Sequence, residues 1–146
     1  MKICLDQKNA KTFLKIIDGL SEDSPSKKIE NSDVFMPLSV ELVRKSKDFI
    51  HVSLCHYRKI NGDLVQDPEI LFHVSKGCEL LNLKTNKMEE HTFITPMWMQ
   101  VGGHYFQEAV VIKDDGNFDK FYPEILNSQL EFANMWINNI KSQQGL

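Results

Sequence analysis

A turn signal lies near the middle of the chain, in the run His56-Tyr57-Arg58-Lys59-Ile60-Asn61-Gly62-Asp63-Leu64-Val65-Gln66-Asp67-Pro68-Glu69. Asn61-Gly62 is the strongest short signal for a β-hairpin, because both central residues of a type I′ turn need positive φ. Residues 49–58 alternate apolar and polar side chains before the turn, and residues 69–75 have strand character after it. The sequence therefore predicts an antiparallel hairpin at this place.

The register of this hairpin predicts one extra residue in its second strand. Strict pairing about a two-residue turn puts Leu54 opposite Glu69 and turns the apolar residues of the second strand to the wrong face. One bulged residue restores the match, with the pairs Leu54–Ile70, Val52–Phe72 and Ile50–Val74. Asp67-Pro68 is the expected place for the bulge, because proline cannot donate a hydrogen bond to a neighbouring strand.

Helices are expected at both ends of the chain. Asp6 can cap a first helix, whose apolar residues recur at three- and four-residue spacing and which ends at Gly19. Residues 21–32 are rich in Ser, Asp, Lys and Pro and predict a surface loop. A second helix is expected to begin at Pro123, which suits the first helical position.

Strand signals fill the region between the helices, at residues 38–44, 49–58, 69–75, 79–84, 88–93, 97–101 and 105–113. The pattern predicts an α+β fold, in which an antiparallel sheet of about five or six strands carries an N-terminal and a C-terminal helix packed on it. With 146 residues, 42% of them apolar, we expect residues 1–146 to form a single domain whose core needs neither metal nor disulfide.

The charge balance gives no general attraction for nucleic acid. The formal net charge is −3, whereas phosphate binding depends on clustered Lys and Arg. Lys27-Lys28 and residues 44–47 are the nearest basic runs, and short runs of this kind are usually solvated surface. We therefore do not expect a nucleic-acid partner, and binding through residues 44–47 is the weakest of the hypotheses.

The cysteines and the hydropathy indicate where the protein resides. Cys4, Cys55 and Cys78 are odd in number and form no CxxC pair, which argues against a disulfide framework and a zinc ribbon. No run approaches the roughly 18 apolar residues that a membrane span requires. We expect a cytoplasmic protein without membrane contact.

Three carboxylates around the turn, Asp63, Asp67 and Glu69, form the first candidate site. Converging carboxylates could hold Mg²⁺ or Mn²⁺ for hydrolysis, with His56 as general base. Turn chemistry explains the same residues, because Asp after Gly and Asp before Pro are common in turns. We favour the interpretation that these carboxylates only form the turn, and we therefore expect no cofactor. A divalent metal is expected only if the alternative, hydrolytic function is correct.

His56 and Tyr57 form the second candidate. A histidine titrates near neutrality and could act as general base, with Asp63 or Asp67 orienting its ring. At a strand end, however, His56 is more often a satisfied partner of Asp67 or of backbone that fixes the bulge. Tyr57 falls on the opposite, polar face and is a candidate binding residue.

The same polar face carries the third candidate, His51 with His73 and Cys55. The bulged register sets the two histidines opposite each other, where with Cys55 they could bind zinc. The spacing matches no zinc motif, and Cys55 is more simply a small half-buried residue.

Residues 97–106, rich in Met and aromatic side chains, form the fourth candidate. Gly102-Gly103 makes a turn that could project Trp98, His104 and Tyr105 from one end of the sheet. Met-rich and aromatic surfaces favour adaptable contacts with proteins, although the same residues could belong to the core.

Several motifs follow one another along the chain: Phe35-Met36-Pro37-Leu38-Ser39-Val40-Glu41, Ser53-Leu54-Cys55-His56-Tyr57, Asn61-Gly62-Asp63, Asp67-Pro68-Glu69, and Pro96 with residues 100–111. Their order resembles a family of small bacterial proteins of unknown function from plasmids, phages and other mobile elements. The likeness covers most of residues 35–112, and its specific part is His-Tyr, Asn-Gly-Asp and Asp-Pro-Glu. It implies an accessory role in the cytoplasm and supplies no catalytic residue.

The sequence thus favours a non-enzymatic module that binds a protein partner through residues 97–106 and the hairpin end. The alternative is a metal-dependent hydrolase or nuclease built on Asp63, Asp67 and Glu69.

Overall fold

The computed structural model describes residues 2–146, apart from the side chains of residues 76–78. Within this range the elements are α1 (Gln7–Ile16), β1 (Ser26–Ile29), β2 (Leu38–Lys45), β3 (Phe49–Ile60), β4 (Asp63–Asn82), β5 (Lys87–Val101), β6 (Tyr105–Glu108), β7 (Val110–Ile112), β8 (Phe118–Phe121) and α2 (Pro123–Gln144). Strands β1 to β6 form one antiparallel sheet in chain order, and β7 pairs with β8 separately. The predicted α+β fold, with an antiparallel sheet and a helix at each end of the chain, is confirmed.

The central hairpin has the predicted turn and register. Asn61 and Gly62 have φ values of 52° and 87°, as a type I′ turn requires. Strands β3 and β4 pair Ile50 with Val74, Val52 with Phe72 and Leu54 with Ile70. The register then shifts between Cys55 and Tyr57, where the extra residue of β4 lies at Asp67-Pro68. This confirms the predicted position of the bulge.

The expected surface loop at residues 21–32 is only partly right, because β1 lies within it. Backbone pairing with β2 needs no apolar periodicity, and Ile29 alone has a buried side chain in β1. An edge strand of this kind carries almost no signal in the side-chain pattern.

The strands after the turn differ from the sequence prediction in length. Two expected strands join in β4, which has 20 residues, and two others join in β5, which has 15. The expected strand at residues 105–113 is instead divided into β6 and β7. The break falls at Ala109, whose N–H bonds to Met97 O of β5 and whose carbonyl accepts from Tyr122 N, just before α2.

Both helices pack against one face of the sheet, which we call the helix-covered face. The rings of Phe13 in α1 and Phe72 in β4 lie 4.9 Å apart between centroids. Trp136 in α2 contacts His56 in β3. Both helices begin where their sequence signals predict, since Asp6 caps α1 and α2 begins at Pro123. Helix α1 ends at Ile16, before the expected end at Gly19.

In the part of the chain that the structure describes, no helix combines the length and apolar character needed to span a membrane.

Candidate functional site

The second face of the sheet, which we call the helix-free face, carries a continuous arrangement of polar and aromatic residues. Residues directly opposite on antiparallel strands project to the same side of a sheet. The register gives two cross-strand rows through all six strands. The first row is Lys28, Ser39, Cys55, Glu69, Gln100 and Phe106. The second row is Ser26, Glu41, Ser53, Leu71, Trp98 and Glu108.

These rows place polar side chains on β1 to β4 beside an aromatic pair on β5 and β6. The polar part forms a pocket of about 330 Å³. Its lining residues lie on strands β1 to β4 and include Lys28, Glu41, Ser53, Cys55, Tyr57 and Glu69. The bulge in β4 sets this arrangement, because without it Glu69 would pair with Leu54 and lie on the helix-covered face.

Glu69 is held in place by two neutral donors. Ser53 Oγ donates to Glu69 Oε2 across 2.6 Å, and Gln100 Nε2 donates to Glu69 Oε1. Among the residues that the structure describes, the ion pairs are Lys28–Glu30, Arg58–Asp67 and His91–Glu89. The Glu69 carboxylate is therefore fixed in position without a cation in contact.

Cys55 lies next to this carboxylate and is only 2% exposed. Its thiol donates to His56 O at 3.4 Å. Burial, together with the charge of Glu69, raises the pKa of Cys55 to about 12. The pKa of Tyr57 is also raised, by Cys55 first and then by burial. Cys55 is thus a neutral thiol at pH 7, which does not suit a nucleophile.

His51 and His73 lie on the same face but further along the strands. They are paired across β3 and β4 as predicted, and His51 Nε2 and His73 Nδ1 are 3.0 Å apart. Phe49 stacks on His73, and Phe118 of β8 contacts it, so the β7–β8 hairpin covers this end. Burial lowers the pKa of both histidines to about 4, and for His51 the neighbouring His73 and Arg44 act in the same direction.

His51, His73 and Cys55 are not arranged as ligands of one zinc ion. The two facing ring nitrogens bond to each other, while the Cys55 thiol donates to a backbone carbonyl. No group of three His, Cys, Asp or Glu residues that could hold a metal ion occurs among the described residues.

The hairpin candidates are not brought together as a single site. Asp63 is exposed and pairs with Ile60 beside the turn, whereas Asp67 forms an ion pair of 2.6 Å with Arg58. Glu69 makes its own contacts with Ser53 and Gln100 on the helix-free face.

His56 has a different partner from the one expected. Its Nδ1 accepts from Trp136 Nε1 at 3.1 Å, whereas the sequence suggested Asp67 or backbone. Burial lowers the pKa of His56, and the nearby charge of Asp67 opposes that shift. The imidazole belongs to the core beneath α2, since it is 7% exposed.

The residues expected to bind a partner lie around the last turn of the sheet. Trp98 is half-buried and packs on Phe106, with ring centroids 5.5 Å apart. His104 is exposed in the turn, and Tyr105 is exposed with its hydroxyl donating to Gln107 Oε1 at 2.5 Å. Tyr105 neighbours Phe106 in β6 and therefore projects to the other side of the strand. The ring of Trp98 thus contacts that of Phe106, which lies within residues 97–106 but was not named as a binding residue from the sequence.

The fold and this face together define a class of protein: an α+β chain with one meandering antiparallel sheet, two helices on one face and a polar pocket on the other. The chain belongs to the family described as a domain of unknown function (DUF6908), whose model matches residues 8–146. No curated protein and no solved structure matches the chain. Membership of a family of unknown function agrees with the resemblance seen in the sequence.

Proposed function

We propose that the protein is a non-enzymatic interaction module that binds a protein partner on its helix-free face. The observation that carries this proposal is the pair of cross-strand rows, which sets the Trp98–Phe106 pair beside the polar pocket. Phe106 is 60% exposed on β6, the last strand of the sheet. An exposed aromatic anchor next to fixed polar groups is typical of the centre of a protein interface.

The chemistry of the pocket supports binding over catalysis. Cys55 is a neutral thiol, and Glu69 is engaged by Ser53 and Gln100. Among the described residues that line the pocket there is no histidine to act as a general base.

The resemblance of the sequence to proteins of mobile elements adds a cellular setting to the proposal. It suggests a bacterial accessory protein that acts in the cytoplasm by binding a host protein or a protein of the element. The alternative function is a metal-dependent hydrolase or nuclease using Asp63, Asp67 and Glu69 with His56 as base, but within the described residues no hydrogen bond or ion pair joins any two of these four. Calorimetric titration with Mg²⁺ and Mn²⁺ tests it, because site-specific binding should disappear in the Asp67→Ala, Glu69→Ala variant.

The proposed function is tested by capture and reconstitution. The wild-type protein, immobilised in lysate of cells that carry its gene, should retain a protein that the Trp98→Ala, Phe106→Ala variant does not. Leu83→Ala, Met88→Ala is the matched control, because both residues are exposed and apolar but lie at the far end of the β4–β5 hairpin. Equal capture by wild type and the aromatic variant would contradict the proposal.

A further inference from the structure

The polar pocket on the helix-free face has features that the proposed function does not use. Its volume of about 330 Å³ lies at the small end of ligand pockets, which range from about 300 to 1,000 Å³. A volume of this size suits one long side chain better than a large small-molecule ligand. The pocket also adjoins the aromatic pair, because Glu69 and Gln100 are register partners and Gln100 pairs with Phe106.

The charge of Glu69 is not neutralised inside the pocket. Both of its oxygens accept hydrogen bonds from neutral groups, which fix the carboxylate and leave its charge uncompensated. Carboxylates held in this way form their strongest additional hydrogen bonds with ammonium or guanidinium groups.

The two lysines that line the pocket are engaged elsewhere. Lys27 Nζ donates to Asp18 O at 2.8 Å, and Lys28 Nζ pairs with Glu30 at 3.6 Å. Glu41 adds a second carboxylate to the lining, and it is absent from every ion pair found in the described part of the chain.

We infer that the pocket receives a basic side chain, arginine or lysine, from the protein segment that binds the helix-free face. Glu69 forms the charged hydrogen bond, and Glu41 is a second carboxylate in the lining. Tyr57 lines the pocket and supplies an aromatic ring for the cation. This inference rests on the proposed function, because it names the chemistry by which the same face selects its partner.

The test uses a probe that is independent of the natural partner. N-acetylarginine N-methylamide and its citrulline counterpart, which is neutral and of nearly the same shape, are titrated into the isotopically labelled protein. Two-dimensional amide NMR spectra should show saturable shifts at Ser53 and Glu69 with the arginine probe. The citrulline probe should bind at least about fivefold more weakly, because it forms no charged hydrogen bond.

Two variants connect the effect to the pocket. Glu69→Gln keeps the shape of the side chain and should weaken the arginine probe at least about fivefold. Glu131→Gln removes the same charge from an exposed position of α2 outside the pocket lining and should leave the affinity unchanged. If Glu69→Gln loses the folded spectrum, Glu41→Gln at an exposed position replaces it and should weaken binding about twofold.

The inference is overturned if the arginine and citrulline probes bind equally, if Ser53 and Glu69 show no shift, or if Glu131→Gln weakens binding as much as Glu69→Gln. These outcomes leave the proposed function intact, since that depends on Trp98 and Phe106. Loss of partner binding in Glu69→Gln together with arginine-selective shifts would support both.

Discussion

The hydroxyl of Ser53 on β3 donates to Glu69 Oε2 on β4 across 2.6 Å. The two side chains share one face because the bulge at Asp67-Pro68 shifts the register by one residue. In strict pairing Glu69 would project among the apolar residues of the helix-covered face. The bulge therefore moves a carboxylate from a place where it would destabilise the core to the helix-free face, where Ser53 and Gln100 donate hydrogen bonds to it.

The Ser53–Glu69 bond should contribute measurably to stability. Ser53→Ala leaves the half-buried carboxylate with one donor fewer, so we expect the free energy of unfolding to fall by about 1–2 kcal/mol. Ser142→Ala, at an exposed position of α2, should change it by less than about 0.5 kcal/mol. Urea unfolding measures both, and equal stability of the two variants would show that the bond contributes nothing.

Stability should decrease on acidification because of His51 and His73. Their pKa values are about 4 in the folded protein and 6.5 when unperturbed, so between these values the unfolded chain binds more protons. The contribution of the two neutral histidines to the free energy of unfolding is fully present above pH 6.5. It decreases as the pH falls towards 4, by about 1.4 kcal/mol per pH unit for each histidine.

Urea unfolding at several pH values measures this slope. The double variant His51→Gln, His73→Gln should show a shallower dependence, whereas His104→Gln in the exposed turn should retain the wild-type slope. A wild-type protein that is equally stable at pH 7 and pH 5 would rule out a buried neutral pair.

Trp136 should stabilise the fold through its indole N–H as well as its ring. Trp136→Phe preserves most of the packing but leaves the buried Nδ1 of His56 without its donor, which should cost about 1–3 kcal/mol. Trp98→Phe serves as the comparison, since Trp98 is half-buried and packs on Phe106. A smaller loss in the Trp136 variant than in the Trp98 variant would contradict the role of this hydrogen bond.

Gly116 is required by both its backbone and its surroundings. Its φ is 87°, and an added Cβ would collide with the ring of Phe49 and the guanidinium of Arg44. Gly103 has a φ of 78° but open space around it. Gly116→Ala should therefore lower the free energy of unfolding further than Gly103→Ala, by an additional ~1–3 kcal/mol in urea unfolding. Equal effects would mean that the neighbours of Gly116 move aside.

The sequence predicted the part of the site that depends on the alternation of side chains between the two faces of a strand. Alternation in β3, the Asn61-Gly62 turn and the proline at position 68 were sufficient to align Ser53, Cys55 and Glu69 on one face. It missed Lys28 and the lining role of β1, because an edge strand with a single buried residue resembles a polar loop.

Long-range side-chain contacts could not be predicted in this way. His56 and Trp136 are 80 positions apart, and no local pattern relates a strand residue to the helix that later covers it. Trp98 and Phe106 are closer together in the sequence than His56 and Trp136, and the turn between them could have predicted their contact. The Gly102-Gly103 turn places position 106 opposite position 100 and thereby beside position 98 on one face.

The most direct test of the central proposal is calorimetric binding between the purified protein and the partner that it captures. Binding should weaken at least about tenfold in Trp98→Ala, Phe106→Ala, as expected for anchor residues at the centre of an interface. The Leu83→Ala, Met88→Ala control should keep the wild-type affinity. Unchanged affinity in the aromatic variant, with the folded state intact, would contradict binding on the helix-free face.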